Sequence, residues 1–212
     1  MRKTLYYIFD PLCGWCYGAH TVVADIAENP DVDLQLMPSG MFSGAGARPM
    51  GPEFAAYAWA NDQRINNMTD QPFSEAYRTN VLGAEGQMFD SSMATLALAA
   101  VAMSAPQDEF KALQAIQHAR YVDGLDITQP AVLAEVLAAQ GLAEAAQRLQ
   151  PLDPALEQAN AQRVAQVQQL MEQFGVNGVP AFVLGQDGKG QLLHASDIFS
   201  QPGSLLAQVM AA

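Results

Sequence analysis

The chain opens with a short apolar stretch whose length is typical of a buried β-strand. Residues 5–9 are all apolar or aromatic, and Asp10-Pro11 closes the stretch. Apolar and polar residues then alternate over residues 32–36, which predicts a second, half-buried strand. Between the two, apolar side chains recur at helical spacing until Asn29-Pro30 interrupts them, so the pattern predicts a strand, a helix and a strand.

The middle of the chain, from residue 53 to about residue 150, has an almost wholly helical pattern. Residues 91–103 are apolar on nearly all sides, which indicates a helix that is buried on most faces. Pro106 is predicted to begin the next helix, and Thr128 to cap another. The Gly-rich stretch 43–52 lacks the rest of a dinucleotide fingerprint or a P-loop, so we expect it to be a loop that leads into a helical lid.

The last third of the chain is predicted to return to the sheet. Asp153-Pro154 begins the longest helix, and Gly175 is expected to cap its C-terminus. The apolar residues 181–184 and the residues 191–194 flank Asp187-Gly188, which predicts a β-hairpin. A final helix is expected from residue 202 to residue 210.

Composition and charge narrow the classes of function. With 212 residues, of which 50% are hydrophobic, the chain can bury a sizeable core. Its net charge of -12, with only 10 Lys and Arg, disfavours nucleic acid and anionic membranes as partners. No run of about 18 apolar residues is present, and Arg2-Lys3 is followed by too short an apolar stretch for a secretory leader. We therefore expect a cytoplasmic protein without a membrane span, unless a leader was removed.

The only two cysteines, Cys13 and Cys16, lie where the first strand gives way to the first helix. A helix N-terminus favours an anion, so Cys13 is expected to be an exposed, nucleophilic thiolate. Cys16 lies one turn further along, on the same side but facing the interior more, as a resolving thiol must. The spacing therefore indicates a catalytic couple that alternates between dithiol and disulfide.

Other interpretations of the two cysteines are weaker. A structural disulfide across four residues would constrain the unfolded chain little. A zinc site needs about four ligands, whereas the two cysteines and His20 supply at most three, so no metal site is predicted. An accidental pair of core cysteines is disfavoured because Gly14 and Asp10-Pro11 mark a turn.

A second signal lies at residues 175–180, which read Gly-Val-Asn-Gly-Val-Pro. A proline is tolerated at the first residue of a strand, so Pro180 could simply open the last hairpin. Only about one X-Pro bond in twenty is cis, and the residues alone therefore do not predict a cis bond between Val179 and Pro180.

Residues 10–18, Asp-Pro-Leu-Cys-Gly-Trp-Cys-Tyr-Gly, together with the distal Gly-Val-Pro, resemble the DsbA-like branch of the thioredoxin superfamily. The nearest resemblance is to its FrnE-like and predicted protein-disulfide-isomerase members. It implies an α/β, thioredoxin-like fold with a large all-helical insertion. Residues 1–42 and 153–212 would form the discontinuous thioredoxin-like domain, and residues 43–152 the inserted helical domain.

The resemblance also implies roles for individual residues. Cys13 and Cys16 would be the catalytic pair of a thiol-disulfide oxidoreductase of the protein disulfide reductase or isomerase type. Val179 and Pro180 would form a cis-proline loop packed against the disulfide, and its backbone would pair with an extended substrate segment. Trp15, inside the turn, would shield the disulfide and contact the substrate.

The same resemblance implies partners. The sequence also departs from the family pattern at two places, which limits the family properties that can be expected of it. The partners would be a protein or small-molecule disulfide and a recycling thiol, such as glutathione or a reductase, with no cofactor. Tyr7 stands where thioredoxin and DsbA have a buried carboxylate, so Asp10, water or no group would assist proton transfer. The central Gly-Trp pair lacks the cationic His of DsbA, and strong oxidising power is not expected.

Two alternative functions stay open at this point. One is a glutathione-dependent transferase or isomerase of the kappa type, acting on a small molecule. That group carries a single Ser in place of the cysteine pair, which argues against it here. The other is a chaperone-like peptide binder that uses the helical groove and keeps Cys13 and Cys16 as a redox switch.

Overall fold

The main sheet is built around the predicted first strand. The computed structural model describes residues 2–186 and 189–212, and within them the sheet has the strand order β2-β1-β5-β6. The strands of the protein are β1 (Lys3–Phe9), β2 (Val32–Pro38), β3 (Arg48–Pro49), β4 (Met88–Phe89), β5 (Ala181–Gln186) and β6 (Lys189–Leu192). Strand β1 pairs parallel with β2 and antiparallel with β5. The predicted Asp187-Gly188 turn lies outside the described residues.

Helices cover both faces of this sheet and make up most of the middle of the chain. They are α1 (Gly14–Gly18), α2 (His20–Ala27), α3 (Pro52–Thr69), α4 (Glu75–Tyr77), α5 (Ser92–Ser104), α6 (Glu109–Tyr121), α7 (Pro130–Ala139), α8 (Ala143–Gln147), α9 (Pro154–Phe174) and α10 (Gly203–Ala211). No helix within the described residues is at once long and apolar enough to cross a membrane.

Strand β1 is apolar from Leu5 to Phe9 because both faces of this part of the strand are covered. On one face the Tyr7 ring stacks on Phe9 and Phe182, with ring centroids 5.1 Å apart in both pairs. These rings belong to the large core that also contains apolar residues of α2 and α10. On the other face Ile8 packs with Val167 of α9. A strand that is buried on both faces reads as a continuous apolar run, as predicted.

The inserted helices surround α5, whose Ala97, Leu98 and Val101 have no solvent exposure. This confirms the prediction of a helix that is buried on most faces. Two details of the sequence prediction were wrong. The first helix is divided into α1 and α2 at Ala19. The N-cap of α7 is Gln129 rather than Thr128, whose backbone N–H instead donates to the Asp126 carboxylate at 3.0 Å.

Helix α9 begins and ends where its capping residues predict. The Asp153 side chain accepts a hydrogen bond from the backbone N–H of Ala155 at 2.9 Å, which satisfies a free donor of the first turn. Gly175 ends the helix with a φ of 65°, a left-handed conformation that glycine adopts without a steric penalty. Helix α9 leads the chain back to the sheet, and so brings residues 179 and 180 to the end of β1.

Candidate active site

Cys13 lies in the turn that joins β1 to α1, as the N-cap residue of that helix. Its backbone N–H donates to the Asp10 carbonyl at 3.0 Å, which closes the turn. Cys13 and Cys16 are both free thiols. Cys13 is only 7% exposed, so the prediction of an exposed thiol was wrong in degree. Phe42, together with Asp62 and Ile65 of the insertion, lines the same cavity as Cys13.

Cys16 lies on the closed side of the turn and has no solvent exposure, as predicted for a resolving thiol. Burial raises the pKa of the Cys16 thiol well above its usual value, and the neighbouring Cys13 adds to the rise. A hydrogen bond from the Asp10 backbone acts in the opposite direction. The Tyr7 hydroxyl donates to the Cys16 carbonyl at 3.2 Å. Tyr7, which stands where thioredoxin and DsbA have a buried carboxylate, therefore fixes the backbone at Cys16 through its phenol group.

The Asp10 carboxylate ties the active-site turn to the inserted helices. One oxygen accepts the backbone N–H of Leu12 at 3.0 Å. The other accepts the backbone N–H of Phe42 at 3.1 Å and the hydroxyl of Ser91 at 2.9 Å. Burial raises the pKa of Asp10, and these hydrogen bonds to the charged form oppose the rise. With its oxygens occupied in this way, Asp10 serves chiefly to hold the turn in place.

Helix α6 also holds the active-site turn, through hydrogen bonds from two of its side chains. The Gln117 amide donates to the Pro11 carbonyl at 3.0 Å, and the Tyr121 hydroxyl donates to the Leu12 carbonyl at 2.8 Å. The ring of His20 is hydrogen-bonded to Gln117, and burial lowers the pKa of His20 to about 4, so the ring is neutral near pH 7. His20 thus belongs to this network. Within residues 2–186 and 189–212, no cluster of three or more His, Cys, Asp or Glu could hold a metal ion.

The residues predicted to contact substrate lie beside Cys13. The Val179 carbonyl accepts a hydrogen bond from the Cys13 sulfur at 3.5 Å, and the Val179–Pro180 peptide bond is cis. Trp15 packs on Phe199, with ring centroids 5.0 Å apart, and lines the cavity. The structure therefore brings Val179 and Trp15 to Cys13, and places Pro180 next to Val179.

A cavity of about 270 Å³ opens in front of Cys13. Its walls are largely aromatic, with rings from Trp15, Phe42, Phe54, Tyr57, Tyr77, Phe89 and Tyr121. The Arg48 guanidinium lies 5.4 Å from the centre of the Phe54 ring. A cavity of this chemistry next to a thiol suits a small or extended group that carries sulfur and an apolar portion.

Sequence reasoning missed the carboxylate in this cavity, that of Asp62 on α3. Its side chain is buried and accepts a hydrogen bond from the Tyr77 hydroxyl at 2.9 Å. Burial raises the pKa of Asp62 to about 7, against the effects of that hydrogen bond and of Arg120. A signal was present: Ala58, Asp62 and Ile65 share one helix face, so a carboxylate lies within a largely apolar stripe.

Comparison with known proteins places this geometry in context. The family model described as a DsbA-like thioredoxin domain matches residues 4–201. A search of curated proteins found no match. The structure is similar to the cytosolic disulfide reductase DsbM from Pseudomonas aeruginosa, at 33% identity and a TM-score of 0.86, covering 99% of this chain and 100% of DsbM. A structure of DsbM with GSH matches at 31% identity and a TM-score of 0.83, covering 98% of both chains.

Two further solved structures resemble this one at lower sequence identity. A candidate protein disulfide isomerase from Nitrosomonas europaea matches at 26% identity and a TM-score of 0.78, covering 98% of both chains. A 2-hydroxychromene-2-carboxylate isomerase matches at 13% identity and a TM-score of 0.62, covering 98% of this chain and 96% of the isomerase. The second likeness shows the fold alone.

Proposed function

Because the chain belongs to the family of DsbA-like thioredoxin domains and is a thiol-disulfide oxidoreductase, we propose that it reduces disulfides through the Cys13–Cys16 couple. The observation that carries this proposal is the unequal placement of the two sulfurs. Cys13 faces a cavity that can admit substrate, whereas Cys16 is sealed beneath it. Unequal access is what a nucleophile and a resolving thiol require.

The proposed reaction has two displacement steps. In the first, the Cys13 thiolate attacks one sulfur of the substrate disulfide, the substrate S–S bond breaks, and the other substrate sulfur leaves as a thiolate and takes a proton. In the second, Cys16 loses its proton and attacks the Cys13 sulfur in the mixed disulfide. The second substrate thiol then leaves, and the enzyme holds a Cys13–Cys16 disulfide.

Substrate would be held beside Cys13 by the residues on either side of it. The Val179 carbonyl, which accepts the Cys13 thiol in the free protein, is placed to accept a backbone N–H of an extended substrate. Pro180 brings no N–H toward the sulfurs. Pro180→Thr, which adds an N–H and a hydroxyl there, is expected to slow release of mixed disulfides while helical content persists. Unchanged release would support a proline that merely opens β5.

We propose reduction as the working direction, with glutathione as the recycling thiol and the cytoplasm as the location. The couple lacks the cationic His that makes DsbA a strong oxidant. The relative at 33% identity is named a cytosolic disulfide reductase, and one of its structures holds GSH. Two glutathione molecules would reduce the Cys13–Cys16 disulfide and leave as glutathione disulfide.

Equilibration with glutathione buffers tests this proposal. With glutathione largely reduced, as in cytosol, the couple is expected to be mostly dithiol, and turnover of a disulfide substrate should require glutathione. A couple that stays oxidised in such a buffer would contradict the reductive direction. The Cys13→Ser/Cys16→Ser double variant is the control. If this variant suppressed aggregation as well as the unaltered protein while reduction was absent from both, the chaperone-like alternative would replace the proposal.

A further inference from the structure

We propose that Asp62, which the inserted helix α3 contributes, is the catalytic acid of the first step: its carboxyl group protonates the thiolate that leaves when Cys13 attacks a disulfide. This inference rests on the proposed function, since it assigns a proton donor to that reaction. It gives the helical insertion a chemical role in addition to forming a wall of the cavity.

The position of Asp62 is the first argument. Its carboxylate lines the same cavity as Cys13, with the residue itself only 5% exposed. One oxygen faces the residue that follows the nucleophile, because a Cβ atom built on Gly14 would lie 2.5 Å from Asp62 Oδ1. The other oxygen accepts the Tyr77 hydroxyl at 2.9 Å. A substrate sulfur that is displaced into the cavity would therefore leave toward a carboxyl group.

The residues around Asp62 do not hold it as a carboxylate anion, so its carboxyl group can carry a proton and donate it. The titratable and charged groups around it are Tyr77 of α4, Arg120 and Tyr121 of α6, and Cys13, together with Arg48 of β3 and Tyr57 of α3, which line the same cavity. Arg120 is buried and lies 5.5 Å from the centre of the Tyr77 ring, and its Nε and Nη2 find no hydrogen-bond partner in the described part of the chain. Within those same residues no ion pair fixes Asp62 as an anion.

The acidity of Asp62 suits this transfer. Burial raises the pKa of Asp62 to about 7, so both forms are present near neutral pH. An alkyl thiol has a pKa of about 8.5, and proton transfer from Asp62 to its thiolate is therefore favourable. The leaving sulfur keeps the electron pair of the broken S–S bond and gains the Asp62 proton. Asp62 becomes a carboxylate, and water entering the cavity restores its proton before the next turnover.

Asp10, the other buried carboxylate of the site, is not suited to this step. Its oxygens already accept hydrogen bonds from Leu12, Phe42 and Ser91, and it is not among the residues that line the cavity. The two carboxylates thus differ in position and in partners: Asp10 fixes the turn, whereas Asp62 faces the space where the leaving group departs.

The test compares two leaving groups on the same variant. Asp62→Asn is expected to lower kcat/KM for an alkyl disulfide, hydroxyethyl disulfide, by about 10²-fold. For the aromatic disulfide dithiobis(nitrobenzoate), whose thiolate is stable without a proton, the loss should stay under about threefold. Asp70→Asn, the same change at the exposed end of α3, should leave both rates unchanged. Equal losses on both substrates would overturn the proposal, because a merely structural defect predicts them.

The dependence on pH supplies a second, independent readout. In the unaltered protein the ratio of alkyl to aromatic rates should fall as pH rises through about 7, because Asp62 loses its proton there. Tyr77→Phe removes a hydrogen bond that lowers the pKa of Asp62, so the fall should move to higher pH. The proposal is wrong if the ratio is independent of pH, or if Tyr77→Phe moves the fall to lower pH. Inactivity of the unaltered protein on both substrates would instead count against the proposed function.

Discussion

The two sulfurs of one short motif lie in opposite surroundings. On the sheet side, Cys16 is enclosed by β1 and the turn, and burial keeps its thiol protonated. On the helical side, Cys13 faces a cavity whose wall includes a titratable carboxyl group, that of Asp62. The sheet therefore supplies a closed site for Cys16, while the insertion forms part of the cavity in front of Cys13.

The turn itself is held from both regions. Tyr7, from the sheet, donates to the Cys16 carbonyl, whereas Gln117 and Tyr121, from the insertion, bind the two carbonyls that precede Cys13. Because each region fixes a different part of the turn, changes in one region should affect one sulfur more than the other.

The largest effect is expected from removing the nucleophile. Cys13→Ala should lower turnover of a disulfide by at least about 10³-fold, because no other thiol of the chain reaches the cavity. Steady-state reduction of hydroxyethyl disulfide with glutathione would measure this. Far-UV circular dichroism serves as the control for folding, and substantial residual turnover in a folded variant would remove Cys13 from its assigned role.

The next effect concerns stability and separates the buried carboxyl group of Asp62 from a carboxyl group at the surface. A carboxyl group with a raised pKa stabilises the fold fully below its unfolded pKa, near 4, and this contribution is lost as pH rises through about 7. Asp62→Asn should therefore match the unaltered protein below about pH 4. By pH 8 it should be more stable by up to about 4 kcal/mol.

Urea denaturation across this pH range measures the difference. His20 and Glu109 also have shifted pKa values, but they are present in both proteins, so their effects cancel. Asp70→Asn, on the exposed end of the same helix, should show no such trend with pH. A stability difference between Asp62→Asn and the unaltered protein that does not change with pH would contradict the assigned ionisation.

A smaller difference is expected in the reactivity of the two thiols. With limiting iodoacetamide at pH 7, Cys13 should be alkylated at least about tenfold faster than Cys16, because Cys16 is enclosed and its pKa is raised by burial. Raising the pH should accelerate Cys16 only as its high pKa is approached. Peptide mapping by mass spectrometry gives both rates. Equal rates would contradict the claim that Cys13 is accessible and Cys16 is enclosed.

The smallest effect is expected from removing one of the hydrogen bonds that hold the active-site turn. Tyr121→Phe removes the hydrogen bond to the Leu12 carbonyl, which should lower the free energy of unfolding by about 1 kcal/mol and kcat/KM by a few-fold. Tyr6→Phe, the same change at a half-buried tyrosine of β1 that packs with the core cluster around Val167, is the control. If the two variants behaved alike, the hydrogen bond from α6 would not position Cys13.

Local signals made much of the fold predictable. Residues 5–9 of β1 form a continuous apolar run because both faces of the strand are buried there. Asp153 and Gly175 mark the ends of α9, the first through its side chain and the second through its backbone conformation. The division at Ala19 was not predicted, although Gly18 directly precedes it, because the apolar spacing continues across both helices. The short β3–β4 pair likewise depends on a contact between distant segments.

The candidate site was predictable only in part, for a related reason. Cys13, Cys16 and Trp15 lie together in the chain, and a resemblance to a known family directed attention to Val179. Gln117 and Tyr121 bind carbonyls 106 and 109 positions away, and no local pattern reveals such pairs. Asp62 left a trace as a carboxylate on an apolar helix face, but only the fold shows that this face meets Gly14.

Trapping the first intermediate tests the central claim most directly, namely that Cys13 attacks from the cavity and Cys16 resolves from the closed side. Cys16→Ala, mixed with a stoichiometric disulfide substrate, should accumulate one mixed disulfide per chain, and peptide mapping by mass spectrometry should place it on Cys13. Cys13→Ala should form none on the same timescale. If the mixed disulfide instead accumulated on Cys16 in Cys13→Ala, and none formed on Cys13 in Cys16→Ala, the two roles would be reversed and the account contradicted.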